Sequence, residues 1–172
     1  MVMMTSCINQ KQLINKNDEN LKIKVLDIGQ GDGILIKHNG HNILIDAGDV
    51  DQQEQLVKLL KNEQITYIDK LIITHPHADH IGGALAVLDN FVVNAVYDNG
   101  QTTTTKMHRN YLKKIADKKI NYFQLYDGMV LNLDDIVTLK IFSPNKTFDK
   151  KGDLNGNSIV AKLIYKNISM LF

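Results

Sequence analysis

At 172 residues the chain is long enough for one domain with a sizeable core. Its 44% hydrophobic and 23% charged residues are the balance of an ordinary soluble globular protein. A net charge of +1 supplies no long-range field for drawing in nucleic acid, no stretch nears the roughly 20 apolar residues that span a bilayer, and the single cysteine, Cys7, excludes an internal disulfide.

Residues 1–20 are polar, lack periodicity and read as a disordered tail, leaving 21–172 for the folded domain. Met4-Thr-Ser-Cys7 resembles the end of a bacterial lipoprotein signal, with the polar stretch Ile8 to Asn20 as a tether. The charged and hydrophobic regions that belong before such a site do not precede it. Cys7 is therefore either a lipidated residue, which implies an extracellular, membrane-anchored protein, or a free thiol in the tail, which leaves a cytoplasmic place open. Leu21 to Ile28 alternates as a first strand, and Gly29-Gln-Gly-Asp-Gly33 is a tight turn. That turn is no P-loop, since no Lys-Ser/Thr follows and the next segment reads as strand. Ile34 to Lys37 and Asn42 to Ile45 flank Asn39-Gly40, a strong hairpin signal. His38 and His41 sit beside that turn and are expected to be exposed bystanders. Asp46 ends the third strand in Asp-Ala-Gly, where a carboxylate can hold a neighbouring loop through backbone N–H groups. Asp51 to Leu60 is an amphipathic helix.

The chain is organised around Leu71-Ile-Ile-Thr-His-Pro-His-Ala-Asp-His-Ile-Gly-Gly83. A short apolar run, Leu71 to Ile73, reads as a buried strand and ends in ligand chemistry. Imidazole nitrogen and carboxylate oxygen suit zinc and related divalent ions. In an extended loop residues two apart point the same way, so His75 and His77 can grip one ion together. Asp79 and His80 are adjacent, point differently and suit a second. Two ions about 4 Å apart can share a bridging hydroxide and clamp the oxygens of a hydrolytic transition state.

Ala84 to Leu88 has helical character, and Phe91 to Tyr97 reads as a strand. Asp98-Asn-Gly-Gln101 is a turn leading into four threonines, Thr102 to Thr105. These could line a substrate groove or cap the helix Met107 to Ile115, and capping is the preferred reading because Thr is a favoured N-cap. His108 is expected on that helix's surface. Tyr122 to Leu125, Met129 to Leu133 and Ile136 to Phe142 are further strands of the same sheet system. A polar loop, Asn145 to Asn157, precedes the strands Ile159 to Tyr165 and Ile168 to Phe172.

His-x-His-x-Asp-His after an apolar strand, as in His75, His77, Asp79 and His80, resembles the signature of the metallo-β-lactamase superfamily. Val25-Leu-Asp-Ile-Gly-Gln-Gly-Asp-Gly33 and Ile43-Leu-Ile-Asp-Ala-Gly48 are similar to the hydrolase-like domain of ComEC-type competence proteins and their stand-alone relatives. The resemblance implies an α/β fold, the N-terminal portion of a four-layer αββα sandwich, holding two divalent ions, zinc or manganese. It implies a metal-dependent hydrolase in which Asp79 also orients the attacking water. Its favoured substrate is a phosphodiester, with single-stranded DNA handled during uptake as the leading case. It assigns Asp46 to support of the metal loop and places Asp32 near the site.

The chain departs from the family pattern in two places. Where many members carry a third histidine for the first ion, this chain offers Asn155, Asn157 and Ser158 as candidates for lining the site, which favours a harder ion such as Mn²⁺. The late Gly-Asp pair and His-rich loop that complete the family's second site do not occur after Ile168–Phe172, so a fragment of a longer frame is expected. The rival expectation is a non-catalytic module or remnant that binds metal, DNA or a partner without turnover.

Overall fold

The computed structural model describes residues 20–149 and 151–172, so Cys7 and its surroundings lie outside the described residues. The polar dipeptide Asn39-Gly40 closes the first hairpin. Both residues have positive φ, 49° and 79°, the geometry whose twist matches the flanking strands. It joins β2 (Ile34–His38) to β3 (His41–Ile45), and β1 (Lys22–Val25) adds to the other edge of β2. From β3 onward the chain advances by helical crossovers. A 3-10 turn (Val50–Gln52) and α1 (Gln53–Asn62) lead to β4 (Tyr67–Ile73). Next, α2 (Ala78–Ile81) and α3 (Ala84–Asn90) lead to β5 (Val92–Asp98), and α4 (Lys106–Asp117) to β6 (Asn121–Gln124). The result is a six-stranded sheet in order β1-β2-β3-β4-β5-β6, parallel from β3 to β6.

The remaining strands are joined by short connections or a return loop and pair antiparallel. β7 (Val130–Asn132), β8 (Val137–Ser143), β9 (Val160–Tyr165) and β10 (Ile168–Leu171) form a second sheet in order β10-β9-β8-β7. Of the later strands expected from the sequence, β6 thus joins the parallel edge, while β7–β10 face the first sheet and share its core.

The apolar run of β4 shows why this stacking is stable. Leu71 and Ile73 pack into the core under the helices, with Leu56, Leu60, Val87, Leu88 and Tyr111. Ile72, between them, packs into the core between the sheets, with Leu139, Ile141 and Leu163. A strand covered on both faces must be apolar at every position, so its sequence does not alternate. The layers are therefore helix, sheet, sheet: three of the four in an αββα sandwich.

Two histidines differ from their expected exposure. His38 is buried, hydrogen-bonded to Asp134 and edge-on to the Tyr165 ring at 5.2 Å, because the second sheet overhangs the hairpin. His41 is half-buried, its Nδ1 lying 3.0 Å from Asp69 Oδ1. His108 is buried because His108, Tyr111 and Ile115 share the face that α4 turns to the sheet. Thr105 caps α4 as expected, its Oγ1 accepting the His108 N–H at 3.2 Å.

Two outcomes follow for stability. Leu71→Ala empties a fully buried site on a central strand and is expected to cost about 2–5 kcal/mol in urea unfolding. Burial pushes the Asp134 carboxyl up, but the N–H groups of Ile136 and Val137 and the His38 ring outweigh it, leaving it below the ordinary value of 3.8. A depressed carboxylate stabilises the fold fully above its unfolded value, and that stability is lost as pH falls through the folded value. Unfolding midpoints should therefore drop below about pH 4, and Asp134→Asn should flatten that drop.

Candidate metal centre

Parallel pairing ends β3, β4 and β5 at one level, with Ile45 opposite Ile72 and Ile73 opposite Asp98. The residues just past those ends meet there. Asp46 follows β3 in a left-handed conformation (φ 57°), and its N–H donates to Ile72 O at 2.8 Å. Its carboxylate is buried and fully engaged. Oδ1 accepts the Thr74 N–H at 2.7 Å, and Oδ2 accepts the Thr74 hydroxyl at 2.7 Å and meets His80 Nδ1 at 2.7 Å. Burial raises the Asp46 pKa against the lowering effect of these bonds. For His80, burial acts downward, but the hydrogen bond and charge of Asp46, with the charges of Asp79 and Asp32, outweigh it and raise the ring's pKa. With Nδ1 turned to a carboxylate, His80 presents Nε2, which lies 3.9 Å from Asp79 Oδ2.

His75 and His77 converge as the alternation of an extended segment demands. His75 Nε2 lies 3.0 Å from His77 Nδ1, which in turn lies 3.0 Å from Asn155 Oδ1. Burial, then the charges of His80 and His77, pushes the His75 pKa down to about 4, so its ring is neutral with a lone pair to offer at neutral pH. Zinc–nitrogen bonds of about 2.0–2.1 Å in a tetrahedron set ligand atoms about 3.3 Å apart. The two spacings that meet at His77 Nδ1, each 3.0 Å, are close to that edge length, so His75, His77 and Asn155 could hold a divalent ion. The His75 and His80 rings lie 4.1 Å apart, which places the Asp79–His80 pair directly alongside.

The segment expected to remain an extended loop turns at His77. Residues Ala78–Ile81 form a single helical turn with His77 at its N-cap, and this turn is what separates Asp79 from His80 in direction. Backbone contacts hold the turn in place: Ala47 N–H donates to His80 O at 2.8 Å, and Asp32 N–H to Asp79 O at 3.3 Å. Gly31, at φ 97°, is forced by this approach, since a Cβ there would lie 1.9 Å from Asp79 O. A Cβ on Gly82 would lie 2.3 Å from Val50 N.

The sequence-derived site residues fall into two groups. His75, His77, Asp79, His80 and Asp46 come together. Asp32 stands at the rim, its exposed Oδ2 3.9 Å from His80 Nδ1. Asp32, Asp46 and His80 are the one group of His, Cys, Asp or Glu among the described residues that brings three ligand atoms within 4.8 Å, and in it both Asp46 oxygens already take hydrogen bonds from Thr74 or meet the His80 ring. Of the Asn/Ser candidates only Asn155 reaches the histidines. The Asn157 side chain donates to Asp149 O at 3.0 Å, and Ser158 Oγ donates to Asn155 O at 2.7 Å. Sequence reasoning missed Thr74, whose signal was its place between an apolar strand and the first histidine. It also missed Gln30, whose Nε2 lies 3.5 Å from Asp79 Oδ2.

Comparison with known proteins agrees with this architecture. The profile of the metallo-beta-lactamase superfamily matches residues 26–163. Recombination protein 2 of Haemophilus influenzae is 38% identical over 72 residues, 39% of this chain and 9% of its own length. Ribonuclease Z of Borreliella afzelii is 31% identical over 126 residues, 66% of this chain and 35% of its own. Hydroxyacylglutathione hydrolase of Aeromonas hydrophila is 33% identical over 57 residues, 33% of this chain and 21% of its own. The match thus spans well under half the length of each of these relatives. Among solved structures, a Cronobacter sakazakii metallo-beta-lactamase with the HARLDQ motif superposes with a TM-score of 0.62 at 14% identity, covering 87% of this chain and 60% of that one. By its matched profile and its layered fold, one that binds divalent metal ions, the chain belongs to the metallo-beta-lactamase superfamily.

Proposed function

We propose that this chain carries the metal site of a hydrolase that cleaves phosphodiesters. The observation that supports it is the convergence of His75 Nε2, His77 Nδ1 and Asn155 Oδ1 beside the Asp79–His80 pair. His75, His77 and Asn155 would hold one divalent ion, and Asp79 and His80 the other. When bound, such ions activate water and offset negative charge developing on the scissile group. The chain's own residues do the rest. Asp46 fixes the His80 ring with Nε2 outward, Thr74 completes the brace, and Asp79, within reach of Gln30, orients the attacking water. The amide oxygen of Asn155 favours a harder ion such as Mn²⁺ over zinc at the first position.

Two similarities support a phosphodiester substrate: the 126-residue match to a protein named ribonuclease Z, and the match to recombination protein 2. Single-stranded DNA is the leading candidate. Similarity to hydroxyacylglutathione hydrolase makes a small ester the comparison substrate. One observation favours a second reading, a module that binds metal or DNA without turnover. Among the described residues the His75–His77 pair is completed by a neutral amide, not by a third charged or imidazole ligand.

The experiment measures hydrolysis of single-stranded DNA and of bis(p-nitrophenyl) phosphate with Mn²⁺ or Zn²⁺. His77→Ala and Asp79→Ala should each lower activity by about 100-fold or more, the upper end of what disturbing a metal's surroundings does. Activity surviving both changes would sink the ligand assignment, and metal retention without turnover on any ester would favour the binding module. Metal uptake should also depend on pH. Because the His80 pKa is raised, its Nε2 proton competes with the ion, so affinity should weaken as pH falls through that raised value. Calorimetry in two buffers of different ionisation enthalpy should show proton release, and Asp46→Asn should move the pH dependence downward. Affinity independent of pH, without proton release, would remove His80 from the ligand set.

A further inference from the structure

We infer that Asn99 and Gln101 are positioning residues: their side-chain amides clamp the 151–158 loop so that Asn155 meets His77. The inference rests on the proposed metal role of Asn155. The register of the parallel strands places these residues, because Ile73 of β4 is opposite Asp98 of β5, so Thr74–His77 and Asn99–Gln101 leave the sheet side by side.

The turn itself is pinned. Asp98, buried, accepts the Gly100 N–H at 2.7 Å and the Tyr122 hydroxyl at 2.6 Å on Oδ1, and the Tyr111 hydroxyl at 3.3 Å on Oδ2. Asn99 Oδ1 accepts the Gln101 N–H at 3.0 Å. Both amide side chains are then aimed at backbone of the other segment. Asn99 Nδ2 donates to Asn157 O at 2.9 Å, and Gln101 Nε2 donates to Gly152 O at 3.0 Å. Asn99 and Gln101 are each only 2% exposed, so water does not compete for these bonds. A third tie runs from the Ile159 N–H to Thr74 O at 3.0 Å, one residue past the end of β4.

Between those ties the loop is stiffened by its own bonds. Asp153 Oδ1 accepts the Asn155 N–H at 3.1 Å, and Asn155 O accepts the Ser158 hydroxyl at 2.7 Å. A stiff loop held at Gly152, Asn157 and Ile159 has its Asn155 side chain set by where those points are fixed. The hydrogen bonds of the Asn99 and Gln101 side chains go to each other and to the loop backbone, not to the proposed metal ligands. Both residues act through Asn155, as outer residues orient the groups that meet a metal.

Asn99→Asp removes the donor to Asn157 O, and Gln101→Met removes the donor to Gly152 O together with the Oε1 that accepts Asn99 Nδ2 at 3.4 Å; the two break different ties to the loop, so the failure of one variant to fold leaves the other. In the metal-free protein, nuclear Overhauser contacts between the Asn155 side-chain amide and the His77 ring should be present in the wild type and lost in either folded variant. Their persistence in both would overturn the clamp. Titration with Co²⁺, followed through its visible absorption, should show affinity lowered by about tenfold and a shifted band in each variant. In an Asn155→Ala background neither change should lower affinity further; additive losses, or an unchanged band with only a lower melting temperature, would reduce both residues to a structural role and overturn the inference. If the contacts are lost while Asn155→Ala itself leaves Co²⁺ affinity unchanged, the clamp stands and the metal role of Asn155 falls.

Discussion

One buried carboxylate holds the ends of two strands in register with the candidate metal centre. Asp46 takes the Thr74 N–H, the Thr74 hydroxyl and the His80 ring on its two oxygens. It thereby ties the end of β3 to the end of β4 and fixes an imidazole at the same time. A buried carboxylate without partners would be costly, and Thr74 without Asp46 would leave a backbone donor unsatisfied. The pairing is therefore reciprocal: the fold supplies the enclosure that makes the bonds strong, and the bonds set the geometry of the loop that follows.

The two neighbouring imidazoles are driven in opposite directions by their surroundings. His75 is held neutral by burial, whereas His80 keeps its proton more tightly because of the carboxylates around it. Their rings are 4.1 Å apart, so a charge on both would be mutually unfavourable. Of these two rings, His80 is therefore the one that holds a proton against an incoming ion.

Much of this was legible from local pattern. His75 and His77 meet because alternation along an extended segment is a property of the backbone alone. The Asn39-Gly40 hairpin and the unbroken apolar run of β4 are equally local signals, and together they mark an α/β fold with a strand buried on both faces. What was not legible depends on residues far away in sequence. His38 is buried because Asp134 and Tyr165 close over it, and nothing beside a surface-type turn announces that. His108 lies on the same helical face as Tyr111, but the basic residues around it disguise which face is inward. The choice of Asn155 over Asn157 and Ser158 follows from bonds inside one irregular loop and from the Asn99 and Gln101 amides, none of which has a period to read.

The glycine contacts carry a consequence for how this centre tolerates change. Gly31 abuts the Asp79 carbonyl, and Gly82 abuts the Val50 backbone, both at distances that leave no room for a methyl group. In each case the obstructing atoms belong to main chain, which cannot swing aside as a side chain would. The region intolerant of substitution therefore extends beyond residues with chemistry of their own. Single-nucleotide changes that introduce alanine at positions 31 or 82 would dismantle the centre while leaving every imidazole and carboxylate in the sequence intact.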